Sequence, residues 1–112
     1  MSPITTHVLD TSRGRPAAGI EVKLAQFNDG RWQTIGRGTT NADGRITDLL
    51  EAGTLSIGMY KITFETAAYF SNQNTVGFYP YVPIVFEITA VDEHYHVPLL
   101  LNPYGYSTYR GS

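Results

Sequence analysis

His94 and His96 stand two residues apart in the segment His94-Tyr95-His96-Val97-Pro98-Leu99, and this spacing is chemically the most suggestive in the chain. In an extended strand, alternate side chains leave the same face roughly 7 Å apart. The two imidazoles therefore share one face, and Tyr95, Val97 and Leu99 turn toward a core. Such a pair can be half of a metal site, a general base with a neighbour, or two solvated side chains. No acidic residue stands at ligand spacing beside it, so no metal is expected. His7, between Thr6 and Val8, is the third histidine. Two cations stand in suggestive places: Arg45, just after the turn Asn41-Ala42-Asp43-Gly44, and Arg110, in the closing Tyr109-Arg110-Gly111-Ser112.

That closing segment reads as ordered strand, although chain ends commonly fray. Tyr104, Tyr106, Thr108 and Arg110 alternate with Gly105, Ser107 and Tyr109. A phenol, a guanidinium, a glycine and a hydroxyl beside a terminal carboxylate offer polar groups of several kinds.

The elements that must position these groups are strands. Ile20, Val22 and Leu24 face one way and Glu21, Lys23 and Ala25 the other, a half-buried strand by its period of two. It follows the turn-rich Ser12-Arg13-Gly14-Arg15-Pro16, and Asp10 is expected to serve a turn before Ser12. Further strands are predicted over residues 31–40, 46–50, 59–64 and 82–89, with a first strand around His7. Asn28-Asp29-Gly30 and Asp43-Gly44 are turn signals. Residues 66–72 form the single plausible helix, a short one. Phe78-Tyr79-Pro80-Tyr81 is a rigid aromatic loop expected in the core or at a subunit edge. Seven or eight short strands with regular turns argue an all-β sandwich.

Composition sets outer limits. With 112 residues the chain is one domain, 1–112, and large enough to bury a core. It has no cysteine, which excludes a disulfide framework, thiolate metal sites and cysteine nucleophiles. A net charge of −2 supplies no basic field for nucleic acid. Charged residues make up only 16%, which suggests that much surface sits in subunit contacts. No apolar run approaches a membrane span of about 20 residues. The N-terminal Met1-Ser2-Pro3-Ile4-Thr5-Thr6 lacks the cationic and apolar regions of a signal peptide, and the C-terminus is not of the peroxisomal Ser-Lys-Leu type. A cytoplasmic location is the expectation.

Taken together, His7-Val8-Leu9-Asp10, Asp43-Gly44-Arg45 and the run from His94-Tyr95-His96-Val97-Pro98-Leu99-Leu100-Leu101 to Tyr109-Arg110-Gly111-Ser112 resemble the 5-hydroxyisourate hydrolases, the transthyretin-related family of purine breakdown. The resemblance runs from residue 4 to residue 112, and Tyr-Arg-Gly-Ser after His-x-Pro-Leu-Leu-Leu is its most specific part. It implies a transthyretin-like sandwich of two four-stranded sheets with one short helix. It also implies a homotetramer, a dimer of dimers with sites in the channel between dimers. The implied reaction is hydrolysis of 5-hydroxyisourate to 2-oxo-4-hydroxy-4-carboxy-5-ureidoimidazoline, without a cofactor. By position, the functional residues fall on His7, Arg45, His96, Tyr109, Arg110 and Ser112.

Residue chemistry suits that task. His7 and His96 can hold and deprotonate water, then return a proton to the leaving ring nitrogen. Arg45 can stabilise the oxyanion. Arg110 can clamp a flat polar heterocycle in bidentate fashion, with Tyr109 to wall or anchor the site and Gly111 counted among the substrate-binding residues. Ser112 adds a hydroxyl, and a terminal carboxylate there could orient an imidazole. His94 is expected to be solvated or to support the site from outside. Two other expectations compete: a small-ligand carrier like transthyretin, and a β-sandwich interaction module without chemistry.

Overall fold

The computed structural model describes residues 2–112. Its elements run β1 (Ile4–Asp10), β2 (Arg15–Pro16), β3 (Glu21–Asn28), β4 (Arg31–Thr39), β5 (Arg45–Ile46), β6 (Gly58–Phe64), α1 (Thr66–Ser71), β7 (Val82–Ile88), β8 (Tyr95–Asn102) and β9 (Gly105–Thr108). The period-two stretches thus become strands, and the predicted helix forms over six residues.

Two sheets face each other. One has the order β4-β3-β6-β7 and is antiparallel throughout. In the other, β1 lies parallel to β8 along its whole length, with Thr5 opposite His96 and His7 opposite Pro98. β9 returns antiparallel on the far side of β8. The free edge of β1 is shared: β5 pairs with Thr6 and His7, and β2 with Leu9 and Asp10. This sheet therefore counts five strands, but it is never more than four strands wide. β2 was read from sequence as turn, since a two-residue edge strand containing a proline has no periodicity to display.

Alternation sorts the side chains. Ile4 and Val8 of β1, Val22 and Leu24 of β3, Tyr60, Ile62 and Phe64 of β6, and Leu99 and Leu101 of β8 are buried between the sheets. Each such side chain contributes about 1.5–3 kcal/mol through burial. Tyr95 and Val97 join them, as their spacing requires. The opposite register of β1 and β8 carries Thr5, His7, His96 and Pro98 to the outer face.

Helix α1 is too short to persist alone. Burial of Tyr69 and Phe70 holds it, together with the Tyr69 hydroxyl donating to Asp10 Oδ2 at 2.7 Å. Asp10 also accepts from the Ser12 and Arg13 backbone and from the Ser12 hydroxyl. It does more than form a turn: it pins the helix to β1.

Two expectations need correction. The strand predicted over 46–50 stops at Ile46, because the Leu50 N–H leaves the sheet and donates to Ser2 Oγ at 3.1 Å. Of the two places expected for the aromatic loop, only the core is ruled out: Phe78 and Tyr81 are exposed, and Tyr79 packs edge-to-face on Phe78 and Tyr106.

Candidate active site

Three stretches of chain deliver the site to one patch of the outer sheet face. β1 brings Thr5 and His7, β8 brings His96, and the Asn41–Gly44 turn brings Arg45 directly opposite His7. The turn is closed by Asn41, whose side-chain oxygen accepts from the Asp43 and Arg45 backbone N–H groups. Gly44 adopts φ 73°, and its carbonyl accepts from Val8 N at 2.8 Å. A side chain there would meet the Val8 carbonyl and the Pro16 ring, so the docking of Arg45 against β1 depends on glycine.

The result is an open cleft of about 190 Å³ lined by Thr5, Arg45, Thr47, His94, His96 and Ser112. The His94 and His96 rings stack at 6.4 Å between centroids and 18° between planes. Thr5 Oγ1 lies between them, 3.0 Å from His94 Nε2 and 2.8 Å from His96 Nδ1. His96 Nε2 and His94 Nδ1 are the ring nitrogens left without a protein partner among these contacts. Gly111 packs against the His96 ring: its N–H donates to the His96 carbonyl at 2.8 Å, and an added Cβ would sit 2.6 Å from His96 Cδ2.

The electrostatics favour neutral imidazoles. Burial, and then the nearby Arg45 guanidinium, hold His7 below the ordinary imidazole value, partly opposed by Asp43. His96 is lowered by burial first, then by Arg45, His94 and His7. Among the described residues the ion pairs are Lys23–Glu65 and Arg110–Glu93, so no carboxylate pairs directly with Arg45, while Asp43 acts on the neighbouring His7. A cation without a direct ion pair, beside neutral histidines, can stabilise a developing anion while the imidazoles move protons.

The structure brings His7, Arg45, His96, Gly111 and Ser112 together, and Arg110 and Tyr109 stand apart from them. The bridge between His96 and Gly111 continues the β8–β9 register, so Arg110 faces away from the histidines. Its guanidinium lies over the Tyr95 ring at 4.4 Å and donates to Glu93 Oε1 at 2.7 Å. Tyr109 and Arg110 border a separate groove of about 240 Å³ against β7. Thr5 and Thr47 were missed from the sequence. Thr5 shares His7's face by period two, a signal available beforehand, but the parallel pairing that sets it against His96 leaves no mark in the sequence.

Comparison with known proteins agrees with this architecture. The family model described as HIUase/Transthyretin matches residues 4–111. A 5-hydroxyisourate hydrolase of Salmonella dublin is 45% identical over 109 residues, 97% of this chain and 80% of that protein. The solved 5-hydroxyisourate hydrolase of Klebsiella pneumoniae superposes with a TM-score of 0.84 at 39% identity, covering 97% of this chain and 92% of the other. Sea bream transthyretin, solved in complex with thyroxine, superposes with a TM-score of 0.91 at 33% identity, covering 97% and 94%. Sequence and structure together place the chain in the HIUase/Transthyretin family.

Proposed function

We propose that this chain hydrolyses 5-hydroxyisourate, adding water to a ring carbonyl and opening the ring to 2-oxo-4-hydroxy-4-carboxy-5-ureidoimidazoline. The observation that carries this reading is Arg45, free of any direct ion pair among the described residues, beside two imidazoles whose charged forms are disfavoured on one open face. One histidine, His7 or His96, takes a proton from the attacking water. Arg45 faces the carbonyl oxygen as negative charge develops on it. The carbon–nitrogen bond then breaks, and the second histidine supplies the proton that the leaving nitrogen requires. Ser112 lines the cleft as a polar contact, and Gly111 lets the backbone approach His96 closely. Arg110, held by Glu93, fixes the segment that carries His94, so Arg45 is our guanidinium at the substrate. Tyr109 stands outside the cleft, in the groove against β7.

We further propose a homotetramer, a dimer of dimers in which the outer sheet face of a second copy covers the cleft. Covering excludes water and strengthens the interaction of Arg45 with charge in the site. The likeness to thyroxine-bound transthyretin supports a second reading, a small-ligand carrier. Arginine and histidines facing an iodinated aromatic without partners would be costly to desolvate, which favours hydrolysis.

The test generates 5-hydroxyisourate in situ with urate oxidase and follows its near-ultraviolet decay. Faster decay with the protein, and no calorimetric binding of thyroxine, supports the hydrolase. Decay at the spontaneous rate with tight thyroxine binding supports the carrier.

A further inference from the structure

We propose that Thr5 and His94 form a proton relay between solvent and His96, both acting on the reaction through His96. The proposal rests on the hydrolase reading and adds to it the route by which His96 is recharged.

The geometry sets strict conditions. A threonine hydroxyl has one hydrogen, so between two ring nitrogens at 3.0 and 2.8 Å it donates to one and accepts from the other. Two neutral imidazoles are therefore locked in the same tautomer, both protonated on Nε2 or both on Nδ1. In one arrangement His94 Nε2–H donates to Thr5, Thr5 donates to His96 Nδ1, and His96 carries its proton on Nε2, ready to act as an acid. In the other, His96 Nδ1–H donates to Thr5, Thr5 donates to His94 Nε2, and His96 Nε2 is bare and basic.

Passage between them balances without a charged imidazole. When His96 Nε2 gives its proton to the leaving nitrogen, the Thr5 proton moves to His96 Nδ1. The His94 Nε2 proton then moves to Thr5, and His94 Nδ1 takes one from water. The base step runs the same path backwards and releases a proton to solvent from His94 Nδ1. One proton enters as one leaves, and no heavy-atom bond changes within the relay.

Burial gives the chain a direction. His94 is exposed, Thr5 is buried and His96 is half-buried, so the hydrogen bonds lead from solvent to the cleft. The groups facing His96 are His94, Thr5, His7, Arg45 and Ser112. None is a carboxylate side chain that would favour an imidazolium, so a path that avoids that cation has something to offer. Arg110 steadies the outer end: its Nη2 reaches the His94 carbonyl at 3.4 Å while paired to Glu93. Packing alone does not call for the hydroxyl, because valine is equally β-branched and suits a strand as well.

The experiment compares wild type, Thr5→Val, Thr5→Ser and His94→Ala in weakly buffered turnover assays across pH. Thr5→Val and His94→Ala each lose at least about tenfold in kcat with KM unchanged, within the range of a lost proton-transfer group. Added imidazole restores His94→Ala but not Thr5→Val, and Thr5→Ser recovers most of what Thr5→Val loses. A substrate-free arm follows the ring ¹⁵N resonances: His96 Nδ1 shifts when His94 titrates in wild type and ceases to in Thr5→Val. Wild-type kcat and pH profile in both Thr5→Val and His94→Ala, or no coupled shift in the wild-type protein, overturns the relay. A wild-type protein that fails to accelerate decay overturns the hydrolase reading itself, a different result from an active enzyme indifferent to Thr5 and His94.

Discussion

The ring of His96 is held on three sides, and each contact has a consequence that can be measured. Its Nδ1 is occupied by Thr5, its backbone is bridged to Gly111, and Arg45 presses on its charge state. Gly111→Ala would place a methyl group 2.6 Å from His96 Cδ2 and 3.2 Å from Pro98 Cγ, and neither ring can yield without moving. We expect that variant to fold, to keep the stability of wild type to within about 1–3 kcal/mol, and to lose most of kcat in the decay assay. The pH dependence follows from the same surroundings. His7 and His96 both titrate below the ordinary 6.5, so the neutral base survives into mildly acidic solution. The acid limb of kcat/KM therefore lies below pH 6.5, and Arg45→Gln, which removes one cause of the depression, moves it upward in whatever activity remains. For stability the sign is unfavourable. The unfolded chain takes up protons near 6.5 that the folded chain refuses, so stability declines as pH falls through 6.5 toward the folded values.

Among the elements, β1 is the one on which the others depend. It pairs on both edges, sends Ile4 and Val8 into the core, presents Thr5 and His7 outward, and ends in Asp10. Burial alone would raise the Asp10 carboxyl, but hydrogen bonds from Ser12, Tyr69 and the Arg13 and Ser12 backbone outweigh it, so the group titrates below 3.8. A depressed carboxyl contributes stability above its unfolded value, and that stability is lost as pH falls through the folded value. Tyr69→Phe removes the link between α1 and β1 and leaves a buried acceptor with one partner fewer. The expected cost is about 1–3 kcal/mol, read as a lower denaturation midpoint. The same element shows what can be seen from sequence. The alternation of Ile20, Val22 and Leu24, the Asp43-Gly44 turn and the shared face of His94 and His96 all rest on local chemistry and were legible. What was hidden is non-local: the parallel register that puts Thr5 against His96, and the Ser2 hydroxyl that draws Leu50 out of a strand. The direction of Arg110 was half visible, since its alternation with Tyr109 and Gly111 already placed it on the opposite face from its neighbours. Reading the closing tetrapeptide as one cluster obscured that.

For the molecule as a whole, the sandwich leaves unfinished surfaces. β7 and β9 are the edge strands of their sheets on one side, and they expose Val85 and Tyr106, with exposed Tyr109 just past β9. Exposed apolar edge strands invite pairing with another chain, and the histidine cleft on the outer face is shallow until something covers it. Sedimentation at micromolar concentration should give a species of four times the chain mass, with the isolated chain inactive on dilution. A monomer with full activity would remove the tetramer from the account without touching the residues of the site. The most direct test compares initial rates of 5-hydroxyisourate decay for the wild-type protein and folded His96→Asn, measured together with the spontaneous rate. Histidine chemistry at this cleft predicts clear acceleration by wild type and a loss of about 10²–10⁴ in kcat for the variant. Full turnover by His96→Asn would contradict it.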